Sequence, residues 1–132
     1  MDSRETQAFA ERLMREVWEP FAAEAVPRFY HRDMIGHHRK QQLTYDDVVH
    51  RLVTDHPRYP NPKFDIKDIV AAEDKFAIRF LFSASAASGF TASGASGQAV
   101  SVECNYFYHL KGGKISEFWH LADVDFDYRA DD

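Results

Sequence analysis

Phe9, Leu13 and Val17 recur every fourth residue, with Ala10, Met14 and Phe21 beside them and charged residues between, which is the period of an amphipathic helix. Asp2, with Glu5 three positions on, forms a capping box and starts that helix near Ser3. Pro20 has no N–H to continue it, so a break near Trp18 and a second short piece through Ala25 are predicted. Thr44-Tyr45-Asp46-Asp47 opens another helix, with Tyr45, Val48, Val49, Leu52, Val53 and His56 on its buried face and Pro57 as its stop. Beyond Pro60-Asn61-Pro62 the period changes to alternation: Phe64, Ile66 and Val70; Phe76, Ile78, Phe80 and Phe82; Val100, Val102, Cys104, Tyr106 and Tyr108. Ala72-Glu73-Asp74-Lys75 and Lys111-Gly112-Gly113-Lys114 are short enough to be hairpin turns, which predicts antiparallel pairing.

Helices first and strands after give an α+β fold. Neither face of the strands is clearly polar, unlike an antiparallel sheet with one wet face. The expectation is therefore helices on one face and a second copy of the chain on the other, making a homodimer.

Length adds that residues 1–132 suit a single domain. A formal charge of -5 argues against a nucleic-acid partner, and the short basic run from His37 to Lys40 does not change that. Cys104 is the sole cysteine, so no internal disulfide forms and a reducing compartment is expected. No apolar run approaches the length of a membrane span, and the reading is a soluble, cytoplasmic protein with no membrane partner. Residues 83 to 97 are almost all Ser, Ala and Gly, with Phe90 as the one sizeable apolar side chain. They read as a mobile hairpin loop, or as a lid over a ligand.

The last strand carries the candidate chemistry. Glu117, Trp119, Leu121 and Asp123 project to one side of it, Phe118, His120 and Ala122 to the other. If the first of these surfaces lines a pocket, Asp123 is a carboxylate among apolar groups, whose neutral form desolvation favours. The alternative is an Asp that caps the sheet edge, with Asp125 and Asp127 continuing an acidic tail. His37 and His38 point to opposite faces, so at most one of them meets a pocket. Tyr106 offers either a hydroxyl to the pocket or a satisfied core phenol. No HExxH or His-x-His spacing occurs, and neither metal nor other cofactor is expected. No Gly-x-Ser-x-Gly elbow is present either.

Gly113-Lys114-Ile115 followed by Glu117, Trp119 and Asp123, together with Asp33-Met34-Ile35-Gly36-His37, resembles the nuclear transport factor 2-like superfamily. Within it, the chain is most similar to the SnoaL-like polyketide cyclases and the ketosteroid isomerase relatives. The resemblance covers almost the whole chain. It implies a cone-shaped α+β barrel, with N-terminal helices packed on a curved, mainly antiparallel sheet around an apolar interior. It implies Asp123 as acid/base, with His37 near the isomerases' proton-shuttling Asp and Tyr106 near their oxyanion-binding acid. Trp18, Tyr108, Phe90, Trp119 and Leu121 are then expected as pocket lining. The functional expectation is a cofactor-free cyclase, isomerase or dehydratase acting on a small, largely apolar carbonyl compound. The alternative is a binding or dimeric assembly module using the same interior without chemistry.

Overall fold

Asp2 and Glu5 do start the first helix. In the computed structural model, which describes residues 1–85, 99–123 and 128, the Asp2 carboxylate accepts from the Glu5 amide at 2.8 Å and the Glu5 carboxylate from the Asp2 amide at 3.1 Å. Each side chain thus satisfies an N–H that the helix leaves open. Helix α1 spans Ser3–Leu13 and buries Phe9, Ala10 and Leu13. Before Pro20 it widens into a π turn over Met14–Trp18, where the Glu19 amide reaches the Met14 carbonyl at 2.8 Å. Phe21 then adopts φ 49°, uncommon for a bulky residue, and reverses the chain. A tight turn over Ala23–Ala25 leads into the short helix α2, Val26–Phe29. The predicted break is there, and the second piece runs on past Ala25.

Strands β1 (Tyr30–His38) and β2 (Gln41–Leu43) come before helix α3, Tyr45–Arg58. Asp47 and Thr44 form the reciprocal cap that the sequence predicts. Two expectations for α3 need correction. Pro57 lies inside the last turn rather than ending the helix one residue before it. The buried face is Val48, Arg51, Leu52, Asp55 and Arg58, whereas Val53 and His56 are exposed. Three of those five buried positions are charged, so a search for apolar spacing selects the wrong stripe.

Strands β3 (Lys63–Ala72), β4 (Lys75–Ser85), β5 (Ala99–Lys111) and β6 (Lys114–Ala122) complete an open six-stranded sheet in the order β2-β1-β6-β5-β4-β3. Both hairpins are present, turned by Asp74 at φ 55° and by Gly112 and Gly113 at φ 58° and 81°. Their pairs are antiparallel, but β1 lies parallel to β6, so the sheet is mixed. A parallel neighbour requires a long connection, and α3 with the four strands β2, β3, β4 and β5 supplies it.

One face of the sheet packs on the helices. Phe76, Ile78, Phe80 and Phe82 of β4 and Val100, Val102, Cys104, Tyr106, Tyr108 and Leu110 of β5 are all buried there with Phe9, Leu13 and Val17. Gly36 belongs to this packing, since a Cβ in its place would lie 2.5 Å from Cζ of Phe118. The other face keeps large apolar side chains in solvent: Ile35, Val70, Phe107, Trp119 and Leu121. No helix among the described residues is long and apolar enough to cross a membrane. Of the segment 83 to 97 read as a mobile loop or lid, Ser83, Ala84 and Ser85 instead extend β4, paired with Ser101, Val100 and Ala99, and the remainder, with Phe90, lies outside the described residues.

Candidate active site

Between the helices and the sheet lies a cavity of about 40 Å³, lined on the helix side by Trp18, Phe21, Asp55 and Tyr59. Its sheet side is Phe64, Phe80, Phe82, Val102, Cys104, Tyr106 and His120. That volume holds a water or two, so a ring-sized ligand enters only as these aromatic walls part.

The strand β6 decides which side chains reach the cavity. A regular hairpin through Gly112-Gly113 would set Trp119 opposite Tyr106. Instead the register shifts between His109 and Leu110, leaving Ser116 as an extra residue whose hydroxyl donates to the His109 carbonyl at 3.3 Å. The bulge turns Phe118 and His120 inward, opposite Tyr108 and Tyr106, and sends Glu117, Trp119 and Leu121 outward. Trp119 and Leu121, expected as pocket lining, are 37% and 67% exposed on the outer face, where they border a separate groove and not this cavity. Trp18 and Tyr106 do line the cavity. Tyr108 is buried beside it, stacked on Tyr106 at 5.4 Å.

Asp123 and His37 also lie off the cavity. Asp123 is exposed and closes the end of the β5–β6 ladder: its carboxylate accepts from the Glu103 amide at 2.9 Å, and its own amide donates to the Glu103 carbonyl at 3.2 Å. This matches the edge-capping alternative. His37 is on the outer face, stacked on Trp119 at 5.2 Å and 2.6 Å from the Glu117 carboxylate. Of the two adjacent histidines, His38 is the one that faces inward, and it is buried.

Around His120 the sheet builds a polar cluster. Its Nδ1 lies 3.0 Å from the Tyr128 hydroxyl, which lies 2.7 Å from that of Tyr106. The His120 ring is stacked on that of Tyr106 at 4.0 Å, and on that of His38 at 4.8 Å. His38 Nδ1 lies 3.1 Å from the His120 carbonyl, which only accepts, so His38 carries its proton there. Burial, and then the neighbouring His38, hold His120 well below the usual imidazole range, so the ring is neutral at neutral pH. Burial first, and the other phenols second, hold Tyr106 protonated. Behind it, Trp18 Nε1 donates to the Tyr30 hydroxyl at 3.2 Å, which fixes the indole in the wall. Burial pushes the Cys104 thiol up to about 12, so it is no nucleophile at neutral pH.

The helix side contributes Asp55. Arg51 Nη2 lies 3.0 Å and Arg58 Nη1 3.6 Å from its Oδ1. Burial nevertheless outweighs both guanidiniums and pushes this carboxyl up to about 6. Among the described residues no group of three His, Cys, Asp or Glu side chains is placed to hold a metal ion.

Sequence reasoning reached Tyr106 and Trp18, took His37 where His38 is the inward one of the pair, and missed His120, Tyr128 and Asp55. The signal for His120 was present, since alternation sets it on a face with Phe118, away from Glu117. Asp55 had the signal of helical spacing from Val48 and Leu52.

Comparison places this arrangement among known folds. AclR of Streptomyces galilaeus, a candidate hydroxylase, superposes with a TM-score of 0.81 at 20% identity over 92% of this chain and 76% of its own. A candidate SnoaL-like polyketide cyclase from Jannaschia sp. CCS1 gives 0.78 at 13% identity, over 92% of this chain and 87% of its own. IdmH of Streptomyces antibioticus, a candidate polyketide cyclase, gives 0.73 at 15% identity, over 89% and 91%. At these identities the likeness is one of fold. No curated protein sequence matches the chain. The sequence model of one family spans residues 8–125, and the chain therefore belongs to the SnoaL-like polyketide cyclases.

Proposed function

We propose that this chain is a cofactor-free acid/base enzyme of the cyclase type, acting on a small, largely apolar carbonyl compound held in the cavity. The observation that carries this reading is the chain of contacts from His120 through Tyr128 to Tyr106, set in an otherwise mainly apolar wall. With His120 protonated at Nδ1, the imidazole donates to the Tyr128 oxygen and Tyr128 donates to the Tyr106 oxygen. The Tyr106 O–H then remains for a substrate carbonyl. As a proton leaves the neighbouring carbon, negative charge develops on that oxygen and the Tyr106 hydrogen bond strengthens. Ring closure, a double-bond shift of the isomerase type, or dehydration can each proceed from such an enolate.

Asp123 and His37, placed off the cavity, are not needed in this scheme, and the interior groups take over their expected roles. The outer face fits the homodimer inferred from the strand pattern, because among the described residues it presents five large apolar side chains to solvent.

The rival reading, a binding module without chemistry, draws on the small volume and mainly apolar lining of the cavity. Deuterium exchange beside the carbonyl of 2-tetralone in D₂O, followed by proton NMR, separates the two. An acid/base enzyme accelerates exchange, and Tyr106→Phe slows it by roughly a hundredfold or more. A protein that binds the ketone and leaves its exchange at the buffer rate is a binding module.

A further inference from the structure

Among the described residues that line the cavity, Asp55 is the one carboxylate, and it enters from the helix side, across from the sheet wall that carries Tyr106 and His120. Only 5% of it is exposed. Arg51 and Arg58 stand four residues before it and three after, on the same face of α3, and both approach the same oxygen, Oδ1. A carboxylate that served only to pair with them would have no reason to border an apolar cavity, where an apolar side chain of similar volume is often as stable.

We infer that Asp55 is the general base of this cavity, taking the proton from a carbon beside the carbonyl that Tyr106 holds. The inference rests on the carbonyl reading above. In the step, the C–H bond breaks and its electron pair forms the carbon–carbon double bond. The carbonyl π pair moves to oxygen, where Tyr106 stabilises it, and the proton forms a new O–H bond at Oδ2 of Asp55. Arg51 and Arg58 are positioning residues that fix the carboxylate through Oδ1. Returning the proton to a different carbon shifts a double bond, and attack of the enolate on a second carbonyl closes a ring.

The surroundings suit this role. On α3, Arg51, Arg58 and His50 all favour the charged carboxylate, and desolvation opposes them. Tyr59 stands at the end of the helix, and Cys104, Tyr106 and His120 face Asp55 across the cavity, with Tyr128 behind them. Burial keeps Tyr59, Cys104, Tyr106 and Tyr128 protonated and His120 neutral at neutral pH. Asp55, raised to about 6, is ionised there and is a stronger base than an exposed aspartate.

The test is deuterium exchange into 2-tetralone as a function of pH, with 2-naphthol, a phenol that resembles the enol, as a binding probe. The wild-type rate rises through about pH 6 and then levels. Asp55→Asn removes that limb and lowers exchange at least about a hundredfold, while 2-naphthol affinity stays within about threefold. Asp55→Asn that exchanges like the wild type overturns the role of Asp55 and leaves the carbonyl reading standing. Parallel loss of 2-naphthol binding makes Asp55 a support of the cavity wall and overturns its role as base. A wild type that neither exchanges 2-tetralone nor binds 2-naphthol overturns the carbonyl reading and the base with it. Where Asp55→Asn fails to fold, Asp55→Glu carries the test. Its longer arm displaces the carboxylate, so exchange falls while binding holds, and unchanged exchange overturns the inference.

Discussion

The imidazole of His120 lies flat on the phenol ring of Tyr106, 4.0 Å between centroids and 6° from parallel. The two are cross-strand partners on β6 and β5. Both reach the Tyr128 hydroxyl, His120 through Nδ1 at 3.0 Å and Tyr106 through its own hydroxyl at 2.7 Å. Stack and hydrogen bonds thus fix both rings at once, and a buried polar group so fixed presents its remaining atoms at a defined place.

In the proposed relay Tyr106 and Tyr128 act in series, so their substitutions are predicted to be non-additive. Tyr106→Phe removes the donor, and Tyr128→Phe leaves the donor and cuts its link to His120. In exchange of 2-tetralone, Tyr106→Phe alone falls by roughly a hundredfold or more and the double variant falls no further. Independent roles would multiply the two losses, and that result sinks the relay.

How much of this was legible in the sequence differs from element to element. The caps at Asp2 and Thr44, the break before Pro20 and the two hairpins were local, and local chemistry specified them. The parallel pairing of β1 with β6 was not local, since it depends on where a long connection returns. Ser116 shows the same limit at the site. Side-chain alternation correctly separated Trp119 from His120, but which of the two faced inward was set by one bulged residue, and alternation carries no sign. Asp55, Arg51 and Arg58 were hidden for a different reason, because a buried charge looks like a surface charge until its partners are placed.

Gly36 is predicted to tolerate no side chain while Phe118 is present. Its Cβ would meet three atoms of the Phe118 ring at 2.5, 2.7 and 3.0 Å. Phe118 is 2% exposed and has little room to withdraw. Urea unfolding of Gly36→Ala is expected to show a loss of about 1–3 kcal/mol, the usual range for overpacking. Adding Phe118→Leu to Gly36→Ala recovers part of it, and a cycle without coupling between the two positions argues against this packing.

Stability should also depend on pH through His120 and Asp55, with opposite signs. His120 is lowered in the folded chain, so the stability tied to its neutral form is complete above its unfolded value of about 6.5 and is lost as pH falls through the folded one. Asp55 is raised from 3.8 to about 6, so its contribution is complete below about 3.8 and is lost as pH rises through about 6. Urea unfolding at about pH 5 and about pH 7.5 separates them. On acidification His120→Gln loses less stability than the wild type, and Asp55→Asn loses more. Variants that both track the wild type would show that neither group titrates differently on folding.

Trp119 tests the outer face. It stands in one cross-strand row, flanked by His37 on β1 and by Phe107 on β5, and the row continues through Ala77 to Val70 on β3. Beside the row runs a groove of about 380 Å³, bordered by Asp68, Arg79, Phe107, Trp119 and Leu121. A row of this kind is self-complementary about a two-fold axis, because one copy can lay the same strip across its partner. Light scattering is predicted to give a dimeric mass at micromolar concentration. Trp119→Lys places a charge in the middle of the strip and is predicted to give a monomer. Because the side chain points away from the cavity, 2-naphthol binding should survive the change. A wild-type monomer, or a Trp119→Lys dimer as tight as the wild type, would remove this face from any interface and leave its exposed aromatic side chains without a partner copy.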